Sequence, residues 1–374
     1  MLQLTRRYLR QIDGIFLALC AACSVLSVVT LVSIGHNQLG SINKASVQFI
    51  ASALGILLAL IVSTVDYRAL AHAWPLHNVR LGFLTVGYDA GGTSNYSWYR
   101  VGGMTFQPAE LAKISFVLTL ALHLNHVRGR VNKPANLLAL AVHVLLPVLA
   151  IHIQGDDGTA LVFLGIGLVM VFAGGISGWL VAGGLAAAGG GAALLLKLRP
   201  GLLKGYQAKR IFAVLDPENP ALADIAYQQN KGAMAIGTGG LTGTGLWGEH
   251  VFVPNSWNDF IFSYLANAMG FVGAVTVLLL LLGISVRILL AALQSTDALG
   301  RYLCVGIFAA LFWQCIINLG MNLQVLPVIG VTLPFFSAGG SSVVMVYLCV
   351  GLVLAVSRKN RRKKLAVPIE LEQI

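Results

Sequence analysis

Charged side chains are scarce in this chain of 374 residues: Asp, Glu, Lys and Arg together make up 10% of it, whereas hydrophobic residues make up 57%. Soluble domains carry about 25% charged residues, so this scarcity excludes an ordinary soluble fold. The mean hydropathy of +0.80 agrees with that exclusion. Most of the chain is therefore expected to face lipid or to pack against other membrane spans.

Patterns for metal, disulfide, nucleophile or cofactor chemistry are missing as well. The five cysteines lie in apolar stretches, where cysteine packs as a small hydrophobic residue. No Ser/His/Asp or Cys/His set is visible, and the histidines lack the spacing of zinc ligands. Residues 243–248 fit the pattern GxGxxG, but no strand precedes them, which argues against a dinucleotide. The sequence predicts neither a metal nor a cofactor.

Acidic residues are outnumbered, 14 against 25 basic residues, which gives a net charge of +11. The basic residues are not interleaved with aromatic ones as in nucleic-acid-binding segments, so no nucleic-acid partner is predicted. In a membrane protein, positive charge instead marks cytoplasmic loops or attracts an anionic ligand.

Apolar runs long enough to cross a bilayer are abundant. A hydrocarbon core about 30 Å thick needs roughly 20 apolar residues per helix. The clear candidates are 13–34, 46–65, 108–126, 136–153, 159–175, 177–196, 260–286, 302–323 and 340–357. The weaker stretch 69–88, which His72 and Pro75 interrupt, is counted as a further short span. The predicted fold is an all-α polytopic membrane protein with about ten transmembrane helices, a single domain over residues 1–374.

The distribution of basic residues supports the count of ten. With ten spans, the basic clusters all fall on one side of the membrane: 6–10, 126–134, 287–301 and 358–364. Because basic residues concentrate in cytoplasmic loops, that side is predicted to be the cytoplasm and to hold both termini. The segments 88–107 and 154–158 and the long loop 197–258, between spans 7 and 8, then lie outside. Residues 358–374 form a basic cytoplasmic tail.

The long outer loop begins with an excess of positive charge, which runs against the usual bias. Lys209 and Arg210 belong to this basic segment. Two interpretations remain open: these cations hold an anionic substrate, or they attract anionic lipid headgroups.

Ionisable residues at the ends of spans are the candidates for chemistry, because such groups are costly near lipid. Glu110 and Lys113 follow a proline that opens a helix and share one helical face. They form either a structural ion pair or part of a polar cavity. Asp156 and Asp157 are adjacent at a turn, so an N-cap role for one of them is predicted over a facing carboxylate pair.

Asp259 stands at the entry to a predicted span, where it is either an N-cap or a general base. The glycines of 235–246 are expected to let the backbone approach a ligand or a helix closely. Residues 318–342, which include Ser341 and Ser342, are rich in Gly, Pro, Ser and Asn. Such backbone is tolerated at membrane depth only where it lines a cavity or packs inside protein, so this stretch should line a polar site.

In order and spacing, these motifs resemble those of the SEDS family, multi-spanning glycosyltransferases that polymerise bacterial peptidoglycan. Residues 107–113 match the family motif Gln-Pro-Ser/Ala-Glu-Leu-x-Lys nearly residue for residue. Residues 206–246 follow the family order of Arg-Ile, Asp-Pro, Tyr-Gln and Gly-Gly-Leu-x-Gly-x-Gly, and 318–342 resemble its signature. Asp259 occupies the place of the family's essential aspartate. The resemblance covers about residues 10–358.

The resemblance implies a peptidoglycan glycosyltransferase that polymerises lipid II at the outer face of the bacterial cytoplasmic membrane, in elongation, division or sporulation. Asp259 is implied as the catalytic base. The residues implied in substrate binding are Trp98, Arg100, Glu110, Lys113, Asp156, Lys209, Arg210, Ser341 and Ser342. The expected partners are lipid II, glycan on undecaprenyl pyrophosphate, membrane lipid and a class B penicillin-binding protein. A flippase for the same lipid and a non-catalytic scaffold for a penicillin-binding protein are the alternatives.

The chain departs from the family pattern near the candidate site. Ser97 stands where the family carries a basic residue, with Arg100 as a substitute close by. Trp257 and Asn258 replace a His-Thr pair, and Asn267 and Ala268 stand in place of an acidic pair. These departures raise the question of altered substrate handling or a specialised role.

Overall fold

The structure is a computed structural model that describes residues 11–37, 42–73, 99–101, 104–198, 205–216 and 219–366. In chain order, its elements are α1 (Gly14–Asn37), α2 (Ile42–Val62), α3 (Tyr67–His72), β1 (Tyr99–Val101), β2 (Met104–Phe106), α4 (Pro108–His126), α5 (Pro134–Ile153), α6 (Asp157–Ala173), α7 (Gly178–Leu198), α8 (Gly205–Leu215), a 3₁₀ turn (Pro220–Leu222), α9 (Ala223–Thr238), α10 (Ile261–Leu293), α11 (Ala298–Asn322) and α12 (Gly340–Ala366).

The predicted all-α polytopic membrane fold is confirmed. Six described helices, α1, α2, α5, α10, α11 and α12, are long and apolar enough to cross a membrane, and α6 is a shorter apolar helix. The predicted span 69–88 lies outside the described residues beyond Ala73, so the count of ten spans stays a prediction. The antiparallel β1–β2 hairpin was not expected, because strands of three residues leave no periodicity to detect.

Helices α2 and α12 run parallel and pack closely where glycine removes a side chain. Their contacts follow the same order along both helices: Val47 with Gly340, Gly55 with Tyr347, and Val62 with Gly351. A β-carbon on Gly55 would lie 2.6 Å from the Tyr347 ring. Small residues let membrane helices approach each other, because dispersion contacts drive their association in lipid. This packing brings the first turns of α2 and α12 together.

Charged side chains join the helices at one end of the bundle, called here the Asp297 end. Asp297 accepts hydrogen bonds from the Tyr67 hydroxyl at 2.6 Å and from the Arg68 guanidinium at 2.8 Å. The ammonium of Lys359 lies 3.9 Å from the same carboxylate. The short helix α3 is thereby fixed to α11 and α12 at this end.

The described residues nearest the two termini also meet at the Asp297 end. Arg361 donates a hydrogen bond of 2.7 Å to the carbonyl oxygen of Ile12. The next residue, Asp13, lies just before α1 and forms an ion pair with Arg287 near the end of α10. Residues 12 and 361 therefore lie on the same side of the bundle.

Helix α10 is interrupted at Gly270, and the glycine-rich turn 239–245 fills the interruption. Gly270 has φ 64° and ψ −163°, which is not helical. The backbone hydrogen bonds that join the two segments are Phe271 N to Gly240 O, Val272 N to Leu241 O, Thr244 N to Asn267 O and Gly245 N to Ala268 O. A β-carbon on Gly270 would clash with the backbone nitrogen of Gly243. These glycines therefore serve the close approach of backbone to a helix, one of the two predicted roles.

The described parts of the loop 197–258 fold over the opposite end of the bundle, called here the Asp259 end. Its helix α9 is tied to the last turn of α11, because Gln229 Nε2 donates to the carbonyl oxygens of Met321 at 2.9 Å and Leu326 at 2.8 Å. Helix α8 packs on α9 through buried Ala213, which clusters with Leu222 and Ala226.

Candidate active site

Two asparagines one helical turn apart fix the position of Asp259. The amide Nδ2 of Asn318 donates to the carbonyl oxygen of Asp259 at 2.8 Å, and that of Asn322 donates to the same oxygen at 3.0 Å. Asn322 Oδ1 in turn accepts from the Ser263 amide at 3.1 Å, in the first turn of α10. Both asparagines are fully buried. A residue held through its backbone keeps its carboxyl group available for other contacts.

The two residues before Asp259 are also held by their carbonyl groups. The Trp257 oxygen accepts from the Ala338 amide at 2.8 Å. The Asn258 oxygen accepts from the Ser337 hydroxyl at 2.7 Å. Three consecutive carbonyl groups are thus bonded to the polar stretch 318–342, which explains why that stretch is rich in Asn and Ser.

The carboxyl group of Asp259 is in an environment that favours its protonated form. Its Oδ1 atom is buried and has no hydrogen-bond partner among the described residues. Burial raises the pKa of Asp259 to about 6, the carboxylate of Asp156 adds to the rise, and Arg210 opposes it. A carboxyl group with this pKa is mostly ionised at neutral pH and binds a proton readily, as a general base requires.

Asp156 has the N-cap role that the sequence predicts. Its Oδ1 accepts from the Thr159 amide at 3.0 Å at the start of α6, and its Oδ2 accepts from Gln107 Nε2 at 2.6 Å. Burial raises the pKa of Asp156. Asp157 instead contacts His152, whose Nδ1 lies 2.6 Å from Asp157 Oδ1. The two adjacent carboxylates thus have different partners.

Glu110 and Lys113 form a buried ion pair and also line a cavity, so both interpretations drawn from the sequence hold. Lys113 Nζ donates to Glu110 Oε1 at 2.8 Å, and each side chain is 8% exposed. Such burial means that removing either partner leaves an uncompensated charge.

The main cavity at the Asp259 end has a volume of about 330 Å³. Its walls come from the first turns of three helices and from the segment before Asp259: Asn43, Lys44, Val47, Gln107, Glu110, Trp257, Asn258, Thr332 and residues 338–342. A smaller cavity of about 100 Å³ shares Gln107, Glu110, Asn258 and Thr332 with it and adds Lys113, Asp156 and Gly330. Asp259 is not in the wall of either cavity, but its Oδ2 lies 3.7 Å from the position of a β-carbon on Gly330, which lines the smaller one.

Lys44 is a cavity residue that was not predicted from the sequence. Its Nζ lies 3.2 Å from the centre of the Trp257 ring, a cation–π contact. Among the described residues, Lys44 has no carboxylate within ion-pair distance. The only signal in the sequence was a basic residue at the start of a predicted span. The contact depends on Trp257, one of the departures from the family pattern.

The structure brings five of the predicted binding residues to these two cavities: Glu110, Lys113, Asp156, Ser341 and Ser342. Arg210 lines a separate cavity of about 260 Å³ in the long loop, together with Asp224 and Gln228. Lys209 is exposed on α8. Trp98 lies outside the described residues, and Arg100 pairs with Thr105 in the hairpin backbone. In the described part of the chain, no group of three or more His, Cys, Asp or Glu could hold a metal ion.

Residues 10–362 match the family of cell-cycle proteins that comprises FtsW, RodA and SpoVE. The probable peptidoglycan glycosyltransferase FtsW of Geobacter sp. (strain M18) is 34% identical over 287 residues, which cover 74% of each chain. The peptidoglycan glycosyltransferase MrdB of Escherichia coli (strain K12) is 29% identical over 353 residues, which cover 92% of this chain and 93% of MrdB.

A solved structure shows the same fold. A chain from a study of how a peptidoglycan synthase complex coordinates polymerization and crosslinking superposes with a TM-score of 0.80. The two chains are 32% identical, and the match covers 93% of this chain and 98% of the other. The order of motifs, the helical membrane fold and these relatives agree, and the chain belongs to the SEDS family of FtsW, RodA and SpoVE.

Proposed function

We propose that this chain is a peptidoglycan glycosyltransferase that polymerises lipid II into glycan strands. The relatives at 34% and 29% identity carry that activity in their names. The observation in this chain that carries the proposal is Asp259, a carboxyl group with a pKa of about 6 next to Asn258 and Gly330, which line a polar cavity at the end of the helix bundle.

In the proposed reaction, the carboxylate of Asp259 takes the proton of the sugar 4-hydroxyl of the acceptor, lipid II. The hydroxyl oxygen then attacks the anomeric carbon of the donor, a glycan on undecaprenyl pyrophosphate, and inverts that carbon. The bond from the anomeric carbon to the pyrophosphate oxygen breaks, and its electron pair leaves with the pyrophosphate. Such a reaction needs no nucleotide, because the donor is already activated by its lipid pyrophosphate.

Cations near the cavity would stabilise the negative charge that develops on the leaving pyrophosphate. Lys113 is already neutralised by Glu110. Lys44 has no such carboxylate among the described residues and lines the larger cavity. We therefore assign the stabilisation of the leaving pyrophosphate to Lys44 rather than to Lys113. The hydroxyl group of Ser341, in the first turn of α12, would add a neutral donor at a helix N-terminus, whereas that of Ser342 donates to the Gly339 carbonyl oxygen at 3.1 Å.

The reaction is assigned to the outer face of the bacterial cytoplasmic membrane, with both termini in the cytoplasm. Described basic residues at the Asp297 end support this orientation, among them Arg287, Arg301 and Lys359. A class B penicillin-binding protein is proposed as the partner, because the structure with a TM-score of 0.80 comes from a complex that combines polymerization with crosslinking.

The test is glycan formation by the purified full chain in a bilayer that contains lipid II, with products separated by length on a gel. We expect strands from the unaltered chain and none from Asp259→Asn. Translocation of fluorescent lipid II without strands would favour a flippase. If neither activity occurs alone but strands form when a penicillin-binding protein with its own polymerase is added, the chain is a scaffold.

A further inference from the structure

Helix α8 carries an apolar stripe on the side that faces away from the protein. Ile211, Phe212 and Leu215 are 44%, 57% and 74% exposed, and with Ala208 they follow the spacing i, i+3, i+4, i+7 of one helical face. Ala213, only 3% exposed, lies on the other face and packs on α9. The helix therefore contacts its own protein through a small residue and leaves its large apolar residues uncovered.

The position of α8 places it near the membrane surface. Only residues 199–204 separate it from α7, which coincides with the seventh predicted span, and a chain of that length reaches at most about 25 Å. On its other side, α9 is tied to the outer turn of α11 through Gln229. Both attachments keep α8 at the Asp259 end, close to where the spans leave the bilayer.

The charge around α8 suits an anionic lipid surface. The segment 197–215 contains no acidic residue and five basic ones: Lys197, Arg199, Lys204, Lys209 and Arg210. Lys209 is exposed beside the apolar stripe. An apolar face flanked by basic residues is the composition of helices that lie in the membrane interface, where anionic headgroups attract the cations.

We propose that α8 lies in the plane of the outer membrane interface, with Ile211, Phe212 and Leu215 at the boundary of the acyl chains and Lys209 at anionic headgroups. The helix then anchors the long loop to the bilayer. Of the two interpretations of the basic segment, an anionic substrate or anionic lipid headgroups, Lys209 is thereby assigned to lipid headgroups. Arg210 points instead into the cavity of the loop.

The test places a spin label on α8 of the full chain in vesicles of phosphatidylcholine mixed with phosphatidylglycerol. Phe212→Cys and Leu215→Cys are the probes, and Glu249→Cys, an exposed polar site on the same end of the protein, is the matched control. Labelling of the native cysteines, measured on the unaltered chain, is subtracted. We expect the labels at 212 and 215 to be relaxed more by oxygen, which concentrates in lipid, than by a water-soluble nickel chelate, with the reverse at 249.

Stronger relaxation by nickel at 212 and 215 would place the stripe in water and overturn the proposal. Immobile labels that neither reagent reaches would also overturn it, since they would indicate a protein partner on this face. The charge is tested by Lys209→Glu on the Phe212→Cys background. We expect the ratio of oxygen to nickel relaxation to fall in mixed vesicles and to stay unchanged in pure phosphatidylcholine, and an equal response in both would refute the role of anionic lipid.

Discussion

The side-chain amide of Asn318 donates a hydrogen bond of 2.8 Å to the backbone carbonyl oxygen of Asp259. Through this bond, and the parallel one from Asn322, helix α11 sets the position of the aspartate at the start of α10. The carboxyl group itself is not used for this attachment. Asp259 is thus held in position through its backbone, as expected of a reactive group. Its side chain does not cap α10; the Ser263 amide in the first turn of α10 donates to Asn322 instead.

Asp259→Asn is expected to abolish polymerisation while the fold survives. Asparagine keeps the shape and the backbone contacts but cannot take up a proton at neutral pH. General bases contribute about 10²–10⁴-fold to rate, which sets the size of the loss. The measurement is the initial rate of glycan formation from lipid II. Normal activity in a stably folded Asp259→Asn protein would remove this residue from the mechanism.

The pKa of Asp259 also predicts how rate and stability depend on pH. Because the base must be ionised, the rate should fall as pH drops through about 6. The raised pKa means that the folded protein binds this proton more tightly than the unfolded chain does, so folding stability decreases as pH rises from about 4 to about 6. At neutral pH, Asp259→Asn should therefore melt at a temperature equal to or above that of the unaltered protein. Below about pH 4 the difference should vanish, because aspartate is then neutral in both states.

Asn318→Ala is expected to lower the polymerisation rate more than its loss of stability explains. The change removes donors to the carbonyl oxygens of Asp259 and Val331, and a buried carbonyl left without a partner costs about 1–3 kcal/mol. Gln324→Ala is the matched control, because it removes an exposed hydrogen bond from the Gln324 side-chain amide to Asn230. Rates are compared at a temperature where both variants are fully folded. Equal rates for the two would show that Asn318 is structural only.

Much of the fold could be predicted from the sequence, because each span is a local run of apolar residues. The contact of Lys44 with Trp257 could not be predicted, since these residues meet only through the packing of α2 beside α12. The contact of Gly243 with Gly270 could not be predicted either, because the residues of an interrupted helix have the same hydropathy as those of a continuous one. Asp156 was predictable as a cap from its place at a turn.

Glu110 and Lys113 are expected to depend on each other for stability. Either single change, Glu110→Met or Lys113→Met, leaves a buried charge without its partner, at a cost of about 2–5 kcal/mol. The exchange of the two residues, Glu110→Lys with Lys113→Glu, restores the pair and should recover most of the melting temperature. Thermal unfolding in detergent measures this. If each single variant unfolds and polymerises like the unaltered protein, the pair has neither role.

Gly243→Ala is expected to destabilise the protein strongly. Gly243 has φ +82°, and a β-carbon there would clash with the carbonyl oxygen of Ala268. Backbone strain and overpacking together should cost at least about 2 kcal/mol. Gly183→Ala is the control: it lies within α7, nothing lies within 4 Å of its β-carbon position, and alanine there should be neutral or stabilising. Similar melting temperatures for the two variants would contradict the packing of turn 239–245 into α10.

The final prediction is that the chain crosses the membrane ten times, with the Asp297 end in the cytoplasm. Tyr67 contacts Asp297 at one end of the bundle, whereas Gln107 contacts Asp156 at the other, so we predict a crossing between Ala73 and Tyr99. Together with the nine helices at the other predicted spans, that crossing makes ten. An even number of crossings puts the two ends of the described chain on one side, in agreement with the contact between Ile12 and Arg361.

Cysteine labelling in intact cells tests this topology. Gln294→Cys and Glu249→Cys place exposed thiols at the Asp297 end and the Asp259 end. A maleimide that cannot cross the membrane should label the cysteine at 249 in intact cells, and the cysteine at 294 only after the cells are permeabilised, because basic residues keep that end inside. The unaltered chain measures the background from the native cysteines. Labelling of both sites from the same side would rule out the ten-span arrangement. Labelling at 294 but not at 249 in intact cells would invert the orientation, and it would place Asp259 in the cytoplasm, away from the face where we propose that the glycan is made.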